Sequence, residues 1–465
     1  MFDASHLTLF YLLAEWAIRL VMIVVIPLRR PPEAARSWLL LVLFLPIPAF
    51  ILYRLIGRAS FPTWRRNRFA KTEPERARIA QRLWDPDIPQ SRLSLLAEAL
   101  GGFPASAGHR IELLTDYETS IRAMVKAIDG AETRVHILTY IFADDATGQT
   151  ITDALSRAKR RGIEVRVLFD ALGSRPWAEK TKAMLALAGI EARVVLPFRF
   201  AALRRARGDL RNHRKLCLID GRLGFVGSQN IVDRDFRPGV VNDELVARVE
   251  GPCIAALDAV FASDWYLETR EELSALPPVP TEQACVLQAM PSGPDFGTPG
   301  YERLLVEMVH SAEQRVTIVS PYLIPDQALL TAIGNAVARR VRVDIVISSV
   351  VDQRLVSLAQ RSYYDELLAS GVRLHQYRER LLHAKNVLID ETVGIVGSSN
   401  ADVRSFVLNA EISLIFYGGE ASSSLSAIHE AYLASSDVLT LQEWRSRPKS
   451  ARLAENLARL VSPLL

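Results

Sequence analysis

A set of polar residues occurs twice in this chain at matching spacings. The first copy spans 213–230 and the second spans 383–400, with an offset of 170 positions and ten of 18 residues identical. The shared polar and turn residues are His213, Lys215, Asp220, Gly227, Ser228 and Asn230 in the first copy, and His383, Lys385, Asp390, Gly397, Ser398 and Asn400 in the second. Packing selects apolar residues, so a repeated polar set indicates chemistry.

The residue types in this set suit reactions at phosphoryl oxygen. A neutral imidazole can act as a nucleophile or move a proton near neutral pH, and a lysine ammonium can hold a phosphate oxygen. Side chains two positions apart share a face of a strand, so each His-x-Lys pair is predicted to face one pocket. The Gly-Ser-x-Asn segments can surround an anion with backbone, hydroxyl and amide donors.

Two acidic residues outside the motif complete the candidate set. Asn242-x-Glu244 and Asn409-x-Glu411 follow the two copies. Each glutamate is a candidate to accept the second ring proton of the opposite copy's histidine and so orient it, as carboxylates do in catalytic triads. Asp220 and Asp390 belong to the candidate catalytic set by motif position, although a supporting or turn-forming role is the favoured interpretation for these two residues.

Similar elements surround both motifs. Helices are predicted at 120–128 and 301–311, strands at 134–142 and 315–322, helices at 150–161 and 327–339, and strands at 164–169 and 342–347. The motif itself predicts a hairpin, with strands at 216–219 and 223–226 around a turn at 220–222. The alternation indicates parallel strand pairs covered by helices.

The predicted fold class is therefore α/β, with two repeats of mixed sheet and flanking helices that form one pseudo-dimeric catalytic body. The predicted domains are two hydrophobic membrane segments within 1–60, a basic and polar linker at 61–104, repeats at 105–277 and 278–440, and a C-terminal helical tail at 441–465. In the tail, Leu453, Leu457, Leu460 and Val461 share one helical face. Docking of this face on the body is slightly favoured over contact with a membrane.

The amino-terminal segments, about 7–28 and 38–56, predict a transmembrane hairpin. The first is long enough to cross a bilayer, and its Glu15 and Arg19 stand four apart and can neutralise each other. The second contains Pro46 and Pro48, which would kink or break a helix, so a re-entrant piece or a buried helical pair is the alternative. The basic residues after the second segment outnumber those in the loop, which favours a cytoplasmic body.

Composition narrows the function classes. The chain has 465 residues, 23% of them charged, and a net charge of +4, which gives no global reason to expect nucleic-acid binding. The three cysteines are too scattered for a disulfide framework or a zinc cage, so we expect no metal and no cofactor. A cluster of arginines at 199–214 leads into the first motif and is either a collar for anionic head groups or a solvated loop.

The duplicated His-x-Lys-x4-Asp motif resembles that of the phospholipase D superfamily. Four further segments are similar to its bacterial cardiolipin synthase branch, namely 139–142, 320–325, 361–364 and 402–411. The resemblance implies metal-independent phosphatidyl transfer between two phosphatidylglycerol molecules through a phosphohistidine, giving cardiolipin and glycerol. It implies His213 as the nucleophile, His383 as the acid and base, and Lys215, Lys385, Asn230 and Asn400 as partners of the phosphoryl oxygens.

The resemblance also implies a multi-pass protein of the bacterial inner membrane whose partners are anionic phospholipids and the bilayer. Three alternatives remain. A hydrolytic phospholipase D would use water as acceptor and release phosphatidic acid, and the motif residues do not separate it from a transferase. A nuclease of the same superfamily is disfavoured by the near-neutral charge. An inactive membrane scaffold is disfavoured because both histidines and both lysines are present.

Overall fold

The structure is a computed structural model and describes residues 4–30, 32–57, 61–88, 90–197, 208–283, 285–297 and 299–460. The chain forms two compact units. The first comprises Met1–Pro62 and Ala201–Leu210, and the second comprises Thr63–Phe200 and Arg211–Leu465.

Three helices build the first unit, α1 (Ala4–Val25), α2 (Pro32–Phe44) and α3 (Pro46–Ile56). Thr8–Val25 is long and apolar enough to cross a membrane, the one such stretch among the described residues. In α1 the Arg19 guanidinium lies 3.2 Å from the Glu15 carboxylate, so the two charges compensate each other. The second predicted segment is not one continuous helix, since α2 ends at Phe44 and α3 starts at Pro46. Proline has no backbone N–H to continue the helical hydrogen bonds, and its fixed φ suits the first turn of a helix.

The second unit carries the duplicated motifs, and its first half contains α4 (Thr63–Ala70), α5 (Glu73–Leu83), α6 (Arg92–Gly101), β1 (Ser106–Leu114), α7 (Tyr117–Asp129), β2 (Arg134–Thr139), α8 (Ala146–Arg160), β3 (Glu164–Asp170), α9 (Ala178–Leu187), β4 (Glu191–Val195), β5 (Arg211–Asn212), β6 (Leu216–Ile219), β7 (Leu223–Gly227), β8 (Asn242–Asp243), β9 (Val246–Glu250) and α10 (Cys253–Thr269).

Its second half contains β10 (Cys285–Ser292), α11 (Gly300–Ser311), β11 (Arg315–Val319), β12 (Leu323–Ile324), α12 (Gln327–Ala338), β13 (Arg342–Ser348), α13 (Arg354–Arg361), α14 (Tyr364–Ser370), β14 (Arg373–Tyr377), β15 (Leu381–Leu382), β16 (Asn386–Ile389), β17 (Val393–Gly397), β18 (Ala401–Asp402), α15 (Val403–Val407), β19 (Asn409–Tyr417), α16 (Gly419–Ala434), β20 (Ser436–Leu439), α17 (Leu441–Arg445) and α18 (Lys449–Leu460).

One mixed sheet runs through both halves of this unit, in the order β20-β14-β13-β11-β16-β17-β19-β10-β1-β9-β7-β6-β2-β3-β4. Strands β1 and β10 meet at its centre in antiparallel register. On one side β2, β3 and β4 are parallel, and on the other side β11, β13 and β14 are parallel. The two halves thus repeat one α/β arrangement around the centre, which confirms the predicted fold class.

The predicted elements around the motifs are present with small shifts at their ends. The strand predicted at 134–142 ends at Thr139, and the helix predicted at 150–161 begins at Ala146, where the Asp145 side chain accepts the Gly148 N–H and caps it. The hairpin of the first motif has its strands at Leu216–Ile219 and Leu223–Gly227. The hydrophobic cores of the two halves lie between these strands and their covering helices.

The segment predicted as a linker, 61–104, is packed against the body from Thr63 onward. Arg65 donates to the Glu268 carboxylate over 2.8 Å, and Ile79 and Leu83 on α5 are buried. The Gln288 amide in β10 donates to the carbonyl oxygens of Ser94 and Phe103. These helices pack against the body because burial of their apolar stripe removes apolar surface from water, which is favourable.

Candidate active site

Two short parallel pairings bring each motif to the opposite repeat. Strand β5, directly before His213, pairs with the start of β19, and the His213 N–H donates to the Ala410 carbonyl over 2.8 Å. Strand β15, directly before His383, pairs with β8, and the His383 N–H donates to the Asp243 carbonyl over 2.7 Å. Because Ala410 and Asp243 precede Glu411 and Glu244, each histidine is set beside a glutamate of the other repeat.

The two histidine–glutamate pairs have the same geometry. Nδ1 of His213 lies 3.0 and 3.1 Å from the carboxylate oxygens of Glu411, and Nδ1 of His383 lies 2.8 and 2.9 Å from those of Glu244. A carboxylate can only accept, so each Nδ1 carries the hydrogen and each Nε2 has its lone pair available for a reacting atom. The imidazole side chains are 11% and 12% exposed, which leaves an edge of each ring accessible.

Both motif lysines are buried in the same site. The Lys215 ammonium donates to the His213 carbonyl over 2.7 Å, and the Lys385 ammonium donates to the His383 carbonyl. Burial lowers the pKa of Lys215 to about 8 and that of Lys385 to about 7. Each lysine also contributes to lowering the pKa of the opposite repeat's histidine, so these four side chains act on one another across the repeat boundary.

The site holds its glutamates ionised and its histidines neutral at neutral pH. Burial lowers the pKa of His383 to about 4 and also lowers that of His213. Burial disfavours the Glu244 carboxylate, but the charge of His383 when it is protonated, its hydrogen bond and the Lys385 charge outweigh this and bring the pKa of Glu244 to about 2. Two buried lysines whose pKa values lie near neutral pH thus share the site with two carboxylates, and an entering phosphodiester adds a negative charge that favours protonation of a histidine or lysine.

The motif serines support the glutamates. The Ser228 hydroxyl accepts the Leu245 N–H, and the Ser398 hydroxyl donates to Glu411 and accepts the Ile412 N–H over 3.0 Å. An added Cβ at either preceding glycine, Gly227 or Gly397, would collide with the backbone of the glutamate-bearing segment. The Gly-Ser pair thus allows close approach of two segments, so its hydroxyl is directed at the glutamate segment and not at a free anion site.

The two motif asparagines have different partners. The Asn230 side-chain oxygen accepts the Ile141 N–H over 3.1 Å, so it holds the segment after β2. The backbone N–H of Asn400 donates to the Ser405 hydroxyl, and its side-chain oxygen has no hydrogen-bond partner among the described residues. Both side chains are buried, and each lies shortly after the end of the second strand of its motif hairpin.

The structure places the Asp220 and Asp390 carboxylates against backbone N–H groups at the base of the hairpin, which fits the supporting or turn-forming role favoured for them. The Asp220 carboxylate accepts three backbone N–H groups at 132–134, and that of Asp390 accepts three at 313–315, over 2.7–2.9 Å. Each aspartate directly follows the strand that starts after the motif lysine, so it lies about 16 Å along the chain from that lysine. Both therefore tie the hairpin turn to the start of the neighbouring strand.

The arginine cluster before the first motif is only partly described, since 198–207 lie outside the described residues. Arg211 and Arg214 are buried and do not form a collar. Arg214 makes two bonds to the Asp264 carboxylate, over 2.8 and 2.7 Å, and donates to the Glu411 carbonyl over 3.0 Å. The sequence did not lead to a prediction of this positioning role for Arg214. A signal was present in the motif, because Arg214 occupies the position that Ala384 has in the second copy.

An aromatic ring covers one histidine. Tyr140, in the segment after β2, meets the His213 ring edge-on with 4.8 Å between centroids, and the Lys215 ammonium lies 5.5 Å from the Tyr140 ring centroid. Pro321 follows Ser320 where Tyr140 follows Thr139, so the two copies of the site differ here. The sequence signal for this difference, Tyr140 in one repeat and Pro321 in the other, lies outside the duplicated motif.

Two of the histidines without a repeat partner pair with buried aspartates. His136 on β2 pairs with Asp258 on α10 over 2.8 Å, and His375 on β14 pairs with Asp344 on β13 over 2.9 Å. Within the described part of the chain, no group of three or more His, Cys, Asp or Glu side chains is arranged to hold a metal ion.

The fold and the paired sites define a two-repeat enzyme of the phospholipase D type, with one His-x-Lys motif contributed by each half. A solved phosphatidylserine synthase from Haemophilus influenzae has this fold: it is 14% identical, with a TM-score of 0.62, over 81% of this chain and all of that chain.

The sequence comparisons identify the family. The model of the cardiolipin synthase PLD-like domain matches residues 124–265 and 305–432. The chain is 33% identical to cardiolipin synthase A of Pectobacterium atrosepticum, over 94% of both chains, and 32% identical to that of Serratia proteamaculans, over 99% of this chain and all of the relative. The chain therefore belongs to the cardiolipin synthase family and is a phosphatidyltransferase.

Proposed function

We propose that this enzyme transfers a phosphatidyl group from one phosphatidylglycerol to another, giving cardiolipin and glycerol without a metal ion. The observation that carries the proposal is the pair of reciprocal His–Glu contacts, because it presents two unprotonated Nε2 atoms to one site. One can form a bond to phosphorus while the other serves the oxygen that leaves or enters.

In the first step, His213 Nε2 attacks the phosphorus of the donor lipid. His383 takes up a proton at Nε2 from solvent as the anionic donor lipid binds, and it gives this proton to the head-group oxygen as the bond from phosphorus to that oxygen breaks, so that glycerol leaves and a phosphatidyl-histidine remains. The negative charge of the lipid phosphate raises the proton affinity of His383 above its value in the empty site. Lys215 and Lys385 stabilise the charge on the phosphoryl oxygens.

In the second step, a hydroxyl of another phosphatidylglycerol attacks the phosphorus. His383 takes the hydroxyl proton, the new oxygen–phosphorus bond forms, and the bond from phosphorus to His213 breaks. His213 returns to its neutral form with Nδ1–H on Glu411. The roles of the two histidines are assigned from the superfamily resemblance, and the edge-on contact of Tyr140 with His213 is a further difference between the two histidines.

The test is product analysis with labelled phosphatidylglycerol in detergent and EDTA, with His213→Ala and His383→Ala beside the wild type. The proposal expects labelled cardiolipin in the presence of chelator and none from either variant. Phosphatidic acid as the sole product would make the enzyme a hydrolase. Acid-labile, base-stable label retained on His383→Ala and absent from His213→Ala would support the role assignment, and the reverse pattern would exchange the two roles.

We also propose that the enzyme is held in the bacterial inner membrane by its amino-terminal helices, with the catalytic body in the cytoplasm. The apolar stretch Thr8–Val25 and the basic residues that follow the second hydrophobic segment support this orientation. Protease added to intact spheroplasts should leave the catalytic body uncut. Cleavage within 105–440 from outside would reverse the topology.

A further inference from the structure

Helix α18 is oriented against the usual rule for a surface helix. Its body-facing side is polar: Glu455 is 3% exposed and accepts from Arg361 over 3.0 Å and from Arg447 over 2.6 and 3.0 Å. The Arg459 guanidinium lies 4.1 Å from the Tyr363 ring centroid. The helix therefore docks on α13 and its surroundings mainly through charged groups, with Ala458 as the buried apolar contact.

The apolar side of α18 faces outward. Leu453, Leu457 and Leu460 are 61%, 56% and 76% exposed, and their spacing places them on one helical face. This corrects the expectation that the leucines dock on the body, and Val461, the fourth residue of the predicted face, lies outside the described residues. A surface helix in water turns its apolar stripe inward, so this inversion indicates that the outer face meets a medium other than water.

Basic groups lie beside the leucine face. On a helical projection Lys449 and Arg452 fall on one flank of the stripe, and both are exposed. Two acidic groups of α14 lie close by: Asp365 is 4.0 Å from Arg452 and is also paired with Arg445, and Glu366 is 3.6 Å from Arg459. An apolar stripe with a basic flank is the pattern of a helix that lies in the interface of an anionic bilayer.

The helix is linked to the active site through α13. Gln360 of α13 accepts the Leu323 N–H over 2.9 Å, and β12, which contains Leu323, pairs with β18 directly after the motif residue Asn400. Two further exposed aliphatic side chains lie near the start of α13, Val351 at 43% in the loop that precedes the helix and Leu355 at 47% in its first turn. The surface on which α18 docks is therefore connected through α13 to the segment that follows the second motif.

We propose that the outer face of α18 lies in the head-group region of an anionic bilayer and holds the second repeat at the surface from which lipid substrates enter. The proposal rests on the proposed function in one respect, that the substrates are bilayer lipids. A bilayer fits better than a protein partner because these few aliphatic side chains cover well below the roughly 800 Å² per partner of a stable protein interface. Binding to a head-group region scales with the buried apolar area and with attraction to anionic lipids, so a short apolar stripe beside basic groups can contribute to it.

The experiment uses the full chain in vesicles of phosphatidylglycerol and phosphatidylcholine with brominated acyl chains. An environment-sensitive fluorophore is attached to Leu457→Cys, and the matched control is Leu187→Cys, since Leu187 ends α9 and is 90% exposed. Both carry Cys285→Ser, because Cys285 is the partly exposed native cysteine. We expect blue-shifted emission and bromine quenching at position 457 and neither at 187.

Equal quenching at the two positions would overturn the proposal. A blue shift at 457 that appears without lipid and grows with protein concentration would also overturn it, because a second copy would then cover the face. Quenching at 457 in a preparation that makes no cardiolipin would support docking while removing the proposed reaction, so the two failures are distinguishable.

A kinetic variant provides the second arm. Leu453→Gln, Leu457→Gln and Leu460→Gln together should leave kcat in detergent micelles within about twofold of wild type, since none of these side chains touches the site. In vesicles the same variant should raise the apparent KM about tenfold, because three buried leucine contacts with the bilayer are lost. An unchanged KM in vesicles would refute the docking role.

Discussion

Replacing Glu411 by glutamine tests whether the His–Glu pair drives the chemistry. Glu411→Gln keeps the shape of a fully buried side chain and removes its negative charge beside Nδ1 of His213, 3.0 Å away. The imidazole that becomes positively charged during phosphoryl transfer then loses its counter-charge, and the amide can hold the ring in the wrong tautomer. We expect a large loss in kcat and a small change in KM.

The size of the loss follows from the distance. The delocalised charges of an imidazolium and a carboxylate in hydrogen-bond contact have their centres about 4 Å apart, and two unit charges at that separation interact by about 4 kcal/mol at an effective dielectric constant of about 20. Because the positive charge is only partly developed in the transition state, roughly 3 kcal/mol of this stabilisation is lost, which corresponds to about 150-fold in kcat. Ser398→Ala removes one hydrogen bond to the same carboxylate and keeps its charge, so it should cost about tenfold or less.

The assay is the initial rate of cardiolipin formation from labelled phosphatidylglycerol in mixed micelles, with circular dichroism and thermal unfolding to verify that each variant folds. A Glu411→Gln enzyme within about threefold of the wild-type kcat would refute the reasoning, because a charge with that small an effect has no role in the transition state. A loss matched by Ser398→Ala would equally contradict it, since the charge would then not be the cause.

Three further predictions follow from other contacts. The pKa of Lys385 is lowered by burial to about 7, so kcat/KM should fall as pH rises above about 7, while Lys385→Arg, which stays protonated, should flatten this alkaline limb; an unchanged limb would assign the titration to another group. Arg214→Met leaves Asp264 as a buried charge without its two-bond partner, so denaturant unfolding should show a loss of about 3–5 kcal/mol, and Arg214→Met with Asp264→Asn should recover part of it. Asp220→Ala removes the acceptor of three backbone N–H groups, so it should lower the free energy of unfolding by about 2–3 kcal/mol while kcat of the folded fraction stays near wild type; a loss of kcat in a fully folded variant would return Asp220 to the catalytic set.

Local patterns were sufficient to predict much of this molecule. The duplicated motif identified His213, Lys215, His383 and Lys385, because a reaction centre needs specific polar types at set spacings and a repeat makes them visible. Alternation of helix and strand patterns around each copy predicted the two α/β halves, since the periods of 3.6 and 2 are properties of the local backbone. Pro46 marked the helix break for the same local reason.

The sequence offered Glu244 and Glu411 as candidate partners of the opposite repeat's histidine, but only the tertiary structure shows how these groups are brought together. Strands β1 and β10 join the halves, and pairings β5–β19 and β15–β8 set each histidine beside the other repeat's glutamate. These contacts span well over a hundred residues, and the pairing of remote strands depends on the register of the whole sheet. The same holds for the burial of Arg214 against Asp264 and for the outward face of α18: a helical period shows that an apolar stripe exists, and only packing shows which way it faces.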